Sequence, residues 1–478
     1  MTAVLAIDQG TSATKAVVAD ETGPIADVDV AVEGTTYDDD RVEQDAWAVL
    51  DSIVAAGRAA LASTPVPVAA VGVGNQGETV LAWDTRTGEP LGPALSWQDR
   101  RARQVTEAMD AATARDLLDL TGLPLDPYFA APKMAWLRRE LGAADPRIAF
   151  TTIDTWILFQ LSGRFATDAA TASRTLLLDP QTLTWSDTAL RAFGLDGLPQ
   201  PEVVACDATL GVTDAFGPTL PVMGAIVDQQ AALLAEGCRA PGAVKCTYGT
   251  GAFLLANVGE RHQPSANGLA TSLAWAFSDG TRASCVDGQV YSVGAAVSWL
   301  ERIGLIDTPA DLDRFAAAVP DSAGAVFLPS LAGVGAPLWR PDGRGSWTGL
   351  SLATTREHLV RAFCEGVAAQ VALLADAALS DAAAPPGALR VDGGLTRSRI
   401  LMQLQADLLG GPVEVYPHSC ATALGVAALT LRGLAGPGAE ETLVSGWQPS
   451  ATYRPEEDAA SARQRVDRFA RALARSVS

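Results

Sequence analysis

The chain has 478 residues and carries 35 Lys and Arg against 55 Asp and Glu, a formal net charge of −20. At roughly 150 residues per domain, that length gives two or three domains. A surface this acidic repels nucleic-acid backbones and anionic lipid, which excludes both as expected partners. Apolar residues make up 48% and charged residues 19%, a globular balance rather than a disordered or fibrous one.

From the N-terminus, Met1-Thr2-Ala3 runs straight into the apolar segment Val4–Ile7. No basic stretch followed by an apolar one precedes it, so a cytoplasmic location is expected. Val4–Ile7, Ala16–Ala19, Val68–Val73, Val80–Trp83 and Pro221–Val227 are predicted strands, and Arg390–Val391 a strand end. The spacing of Leu359, Phe363, Val367, Val371 and Leu374 predicts one long helix over Thr355–Leu379. Arg397–Leu409 and Thr422–Leu431 read as further core helices, and Glu456–Ser476 as a solvated closing helix. Short strands alternating with longer helices predict an α/β layered fold. The uncharged stretches Ser322–Trp339 and Val415–Leu431 contain proline, glycine or a Pro-His-Ser run, and neither suits a membrane helix. Six cysteines without a C-x-x-C pair read as reduced, buried thiols, and three scattered histidines offer no metal cluster.

One segment echoes another. Leu5–Ala13 and Val244–Ala252 both enter a Gly-Thr turn from an apolar run, and each is followed by a second apolar run. The echo predicts a duplicated unit, each copy opening with a hairpin. Gly72-Val73-Gly74-Asn75-Gln76-Gly77 fits a dinucleotide-binding pattern, but the β-branched and apolar Thr79–Trp83 stands where that pattern needs a helix. No G-x-x-x-x-G-K-[ST] is present either.

Acids at strand ends carry more information. Asp8 closes Val4–Ile7, where a carboxylate is costly unless it is paired or binds a cation. Gly10, Thr11, Ser12 and Lys15 follow, offering amide, hydroxyl and ammonium donors that suit phosphate oxygens. An Asx-turn that only shapes the hairpin is the alternative. Asp228 closes Pro221–Val227 and opens an apolar helical stretch, where it serves either as a reactive acid or as an N-cap. Thr247–Gly251 is a second hydroxyl-bearing glycine turn, and Asp392-Gly393-Gly394 ends a strand on a shelf that lets a ligand approach the backbone. Together these are the parts needed for phosphoryl transfer without a P-loop.

The same residues carry a resemblance. Ile7-Asp8-Gln9-Gly10-Thr11, Asn75-Gln76-Gly77-Glu78-Thr79, Trp97-Gln98-Asp99-Arg100-Arg101 and Thr121–Phe129 resemble, in order, motifs of the FGGY carbohydrate kinases. So do Thr167-Asp168 with Ala172-Ser173-Arg174-Thr175, Asp228–Leu233, Thr247–Gly251, Gly335-Ala336-Pro337, Arg390–Gly394 and Thr422–Gly425. The likeness covers nearly the whole chain and within the family is greatest to the glycerol kinases. It implies an α/β fold of two ribonuclease-H-like domains of the actin and hexokinase type, 1–242 and 243–478, around an interdomain cleft. It also implies ATP with Mg²⁺ as cofactors, a small polyol or sugar as substrate, and a homodimer as one form of assembly, leaving the oligomeric state open.

By match to the family's motifs, Asp228 is the expected general base and Asp8 the expected Mg²⁺ ligand. Thr11, Ser12 and Lys15 are expected at the transferring phosphoryl group, Thr250 and Gly251 in the second phosphate turn, and Gly294, Gly393 and Gly394 along the nucleotide. Glu78, Trp97, Tyr128, Asp228, Gln229 and Phe253 match polyol-contacting positions.

The departures bear on specificity. Glycine replaces the family's arginine at position 77; losing a charged donor costs on the order of 1.5–3 kcal/mol, roughly ten- to a hundred-fold in recognition. Gly77 is also expected to open space for a larger polyol or ketose. Gly217-Pro218-Thr219-Leu220-Pro221 lacks the arginine of a sugar-bisphosphate feedback site. Ser298 and Ser398 replace Gln and Asn on the nucleotide side, and Cys420 stands where glutamate is usual. The competing readings are a non-kinase actin-like ATPase and a degenerate kinase that only binds sugar.

Overall fold

The computed structural model describes residues 2–142, 145–385 and 387–476. Its inner strands are the uninterrupted apolar runs. In β1 (Ala3–Gln9), Val4, Leu5, Ala6 and Ile7 are fully buried, as strands covered on both faces require. With β2 (Ala13–Asp20), β3 (Gly23–Ala31), β4 (Val68–Asn75), β5 (Thr209–Thr213) and β6 (Leu220–Val227) it forms a six-stranded sheet in the order β5-β6-β4-β1-β2-β3.

The second sheet contains β7 (Val244–Tyr248), β8 (Ala252–Gly259), β9 (Ala270–Ala276), β10 (Arg282–Val290), β11 (Leu389–Asp392), β12 (Val413–Val415) and β13 (Ala451–Tyr453). Their order is β9-β10-β8-β7-β11-β12-β13. In the first sheet β3, β2 and β1 pair antiparallel, and β4 and then β6 continue in parallel. β10, β8, β7, β11 and β12 repeat that path with the same polarities. The two hairpins predicted from the echo are therefore β1–β2 and β7–β8, each central in its own sheet.

Helices cover the sheets. α1 (Ala46–Ala62), capped by Asp45 accepting from the Trp47 N–H, packs on the first. α2 (Ala130–Leu141) belongs to the same half, and α3 (Asp228–Ala235) follows β6 directly. The second half supplies α4 (Gly294–Arg302), α5 (Arg356–Ala382), α6 (Arg399–Leu409), α7 (Ala421–Ala435) and α8 (Ala459–Ser476). α5 is long and apolar enough to cross a bilayer, but 72% of its apolar window is buried inside the protein, against β8, β10, α6 and α8.

α7 crosses to the other half and lies on β1, β4 and β6, against α3. The crossing is tight: a Cβ on Gly425 would stand 1.9 Å from the Ala231 carbonyl oxygen. Arg432, near the end of α7, fixes the arrangement by ion-pairing with Asp207, Asp279 and Glu440.

A third, five-stranded sheet was legible only through Val80–Trp83, which forms its strand Val80–Asp84. Because that strand follows β4, the glycine pattern at 72–77 leads into no helix, as expected. All six cysteines are buried and unpaired.

Candidate functional site

The ends of β1, β4 and β6 lie side by side: Asp8 pairs in register with Gly74, and Val227 with Asn75. Asn75 turns the chain with its side chain, its Oδ1 accepting the Gly77 N–H at 3.0 Å. Gly77 and Glu78 then both adopt left-handed backbones, with φ of 64° and 43°. That conformation is strained for a glutamate, and such strain concentrates at functional sites. It turns the Glu78 carboxylate inward to Arg174 Nε at 2.6 Å.

A cavity of about 160 Å³ opens here, and Glu78, Trp97, Tyr128, Asp228, Gln229 and Phe253, all six expected polyol positions, line it. The Trp97 ring stands edge-on to Tyr128 and Phe253, with centroids 6.0 and 5.8 Å away. Its indole N–H donates to Thr11 Oγ1 at 2.8 Å, tying the first Gly-Thr turn to the aromatic wall.

A larger cavity of about 720 Å³ lies against the second half, lined by Thr250, Gly294, Ser298, Asp313, Gly394 and Ser398 among others. The two cavities share Gly249 and Thr250, so the second Gly-Thr turn is their common rim. The N-terminus of α4 abuts this turn, its Gly294 and Ala295 N–H groups bonding to Gly249 and Thr250 carbonyls. A Cβ on Gly294 would lie 2.5 Å from the Gly249 oxygen, so only glycine permits the contact. These amides are spent on the turn, so what the helix offers an anion at this rim is the positive end of its dipole.

The other expected nucleotide residues act differently. Thr11 lines the smaller cavity rather than the larger. Ser12 is exposed at the hairpin tip, and Lys15 is held by Asp29 Oδ2 at 3.0 Å; neither lines a cavity. Gly251 and Gly393 line neither cavity; each packs against backbone, where a Cβ would lie 2.6 Å from the Val290 oxygen or 2.4 Å from the Tyr248 oxygen. Ser398 is engaged by Asp313, its hydroxyl donating to Oδ1.

The acids form one electrostatic cluster. Burial, then the charge of Asp228, pushes the Asp8 carboxyl up to about 7, while Lys15 opposes the rise. Burial also raises Asp228; the Lys245 ammonium and then the Gln229 amide hold it down. That amide donates to Asp228 Oδ1 at 2.6 Å. Asp228 is thus the first residue of α3, not its cap, and Val227 occupies the cap position. Asp392 is likewise raised by burial and opposed by Lys245.

Four site residues were not singled out from sequence. Lys245 is fully buried and donates to Gln229 Oε1 at 2.6 Å and Thr247 Oγ1 at 2.8 Å. Lys133, also fully buried, donates to the carbonyls of Pro127, Tyr128 and Phe129 and so fixes the loop bearing Tyr128. Arg174 pairs with Asp287 as well as Glu78, and both line the smaller cavity. A buried cation inside an apolar stretch was the available signal for the two lysines; Arg174 sat in a quoted motif without a role.

Gly77 does not open space. A Cβ there would lie 2.8 Å from Val227 Cγ2, and Val227 itself lines the cavity. The valine occupies the volume that the missing side chain was expected to vacate.

The chain matches two family models: the N-terminal domain of the FGGY family of carbohydrate kinases over residues 3–235 and the C-terminal domain over 244–434. It is 40% identical to a glycerol kinase of Thermus brockianus, over 95% of this chain and 94% of that protein. The crystal structure of Plasmodium falciparum glycerol kinase with ADP superposes with a TM-score of 0.90 at 29% identity, covering 100% and 99% of the two chains. A ligand-bound xylulose kinase from Lactobacillus acidophilus, 22% identical with a TM-score of 0.88 over 100% and 99%, shares the fold. These superpositions bear out the two-domain actin and hexokinase type of fold. The chain belongs to the FGGY family of carbohydrate kinases.

Proposed function

We propose that, within the ATP-dependent phosphorylation of a polyol or sugar that characterises its family, this chain acts on a small polyol, with Asp228 as the general base. The observation that carries the reading is the pair of cavities meeting at Gly249–Thr250. The larger cavity would take ATP, Gly249 and Thr250 standing between it and the smaller one, and Asp228 lines the smaller one, where the acceptor hydroxyl would sit. Asp228 takes the hydroxyl proton as the oxygen attacks, and burial, by raising its basicity, suits it to that task. The Thr250 hydroxyl holds phosphate oxygens, favoured by the positive end of α4, while Glu78, Trp97, Tyr128, Gln229 and Phe253 orient the polyol.

The acids fit Mg²⁺. Asp8 is a raised carboxyl beside Asp228, and Oδ1 of Asp392 is buried without a partner. Mg²⁺ is commonly held by one or two carboxylates, its shell completed by water and phosphate. Asp8 and Asp392 would hold it; when bound it neutralises charge on the phosphate oxygens.

A coupled ADP-release screen over glycerol, C4–C5 polyols and ketopentoses tests the reading. Turnover with glycerol or another small polyol is expected, in keeping with the glycerol kinases among the relatives. ADP release that no polyol accelerates would overturn it, and turnover with ketopentoses alone would move the substrate class to sugars.

A further inference from the structure

Position 77 cannot supply a donor to the acceptor cavity, because Gly77 has a left-handed backbone and Val227 fills the space above it. The one cationic side chain lining that cavity, among the described residues, is Arg174. Its guanidinium is fixed from both halves of the molecule. Nε donates to Glu78 Oε1 at 2.6 Å, Nη1 to Asp287 Oδ1 at 2.6 Å and Ser272 Oγ at 3.4 Å, and Nη2 to Asp287 Oδ2 at 3.3 Å. Four of its five N–H groups are thereby used, and one on Nη2 has no protein partner among the described residues. Beside it, Gln230 Nε2 bonds to the same Ser272 Oγ at 3.3 Å. The Gln230 carbonyl oxygen is buried, belongs to a residue lining the cavity, and has no hydrogen-bond partner among the described residues.

A free donor and a free acceptor, brought together through one serine at an otherwise largely aromatic and apolar cavity, match the two hydrogen-bonding needs of a single hydroxyl. We propose that Arg174 and Gln230 bind the polyol hydroxyl remote from the reacting one, and so set substrate specificity in place of a side chain at position 77. The hydroxyl accepts from Arg174 Nη2–H and donates to Gln230 Oε1. Asp287 is a positioning residue, holding the guanidinium plane so that the free N–H stays available. Leaving either partner unpaired in this buried site is costly, so an analogue lacking the hydroxyl is rejected. The inference rests on the phosphotransfer reading above.

The test pairs enzyme variants with substrate deletions, using glycerol against propane-1,2-diol and a C5 polyol against its terminal-deoxy counterpart. The wild-type enzyme is expected to favour the intact polyol by about 10- to 100-fold in kcat/KM. In R174K and Q230L that preference falls towards unity while the KM for ATP stays within about twofold of wild type. R174K keeps a cation for Glu78 and Asp287, and Q230L is neutral and close in size, so one folded variant suffices. Retention of the wild-type preference by either folded variant overturns the proposal even if its rate falls. A wild-type enzyme that turns over ketopentoses but no polyol overturns this inference and leaves phosphotransfer standing, whereas one that turns over neither overturns the phosphotransfer reading as well.

Discussion

Asp228 reaches Asp8 through its charge: after burial, the Asp228 carboxylate is the largest influence raising the Asp8 carboxyl, up to about 7. The two acids arrive from one sheet, Asp8 on β1 and Asp228 directly after β6, and Asp228 lines the acceptor cavity. An acid pair with separated tasks needs this arrangement, in which the environments differ while the field is shared.

Asp228→Asn keeps the size of the side chain and removes its basicity. Turnover is expected to fall by about 10²–10⁴-fold, the usual contribution of a general base, while ATP still binds in the larger cavity. Initial rates alongside calorimetric titration with nucleotide check this; near-normal turnover removes Asp228 from the role.

Lys245 is the largest influence holding Asp228 ionised. In Lys245→Met the carboxyl rises further, so the deprotonated base appears only at higher pH. The acid limb of the kcat/KM profile should move to higher pH, with activity recovering on the alkaline side. Lys245→Arg should stay near the wild-type profile. A uniform loss at every pH would mean a purely structural lysine.

Asp8 has a folded-state value of about 7 against 3.8 for the ordinary side chain. The folded protein therefore favours the protonated acid. A stability penalty sets in as pH rises above 3.8, grows to about 7 and is constant beyond. Asp8→Asn lacks this penalty, so its Tm without ligands should exceed wild type by a few degrees at pH 8 and match it near pH 3.5. The same variant should lose the stabilisation that Mg²⁺ adds to bound nucleotide. Equal melting temperatures for the two proteins at pH 8 would refute the sign.

Gly77→Ala introduces a Cβ at a φ of 64° and 2.8 Å from Val227 Cγ2. Denaturant titration should show a loss of at least about 1 kcal/mol. Val227→Ala in the same chain should recover the part due to the clash but not the part due to the backbone. Additive effects of the two substitutions would show that the side chains do not touch.

Much of this was written locally in the chain. Each hairpin is an apolar run entering a Gly-Thr turn, and strand-end acids such as Asp8 and Asp228 stand out because a carboxylate there needs a reason. What escaped local reading depends on partners far along the chain. Arg174 and Asp287 are 113 residues apart, and no spacing rule joins them. Lys245 and Lys133 looked incidental within apolar stretches, since burial of an ammonium becomes visible only when its oxygen partners are in place. Gly77 was read as vacant volume because deletion of a side chain is local, whereas the valine that fills the gap comes from β6. The crossing of α7 onto the first sheet carried no signal in its own sequence either.

That crossing bears on how the polypeptide can be cut. Residues 421–435 roof β1, β4 and β6, with Gly425 lodged against the backbone of Ala231 and Arg432 anchored to Asp207. A fragment ending at residue 242 would therefore leave a wide greasy surface bare and precipitate. Supplying the missing segment in trans, or splicing it on behind residue 242 as a permuted terminus, should restore a well-behaved half-molecule. Ribosomal synthesis meets the same constraint, because the first sheet stays uncovered until residues 421–435 have emerged.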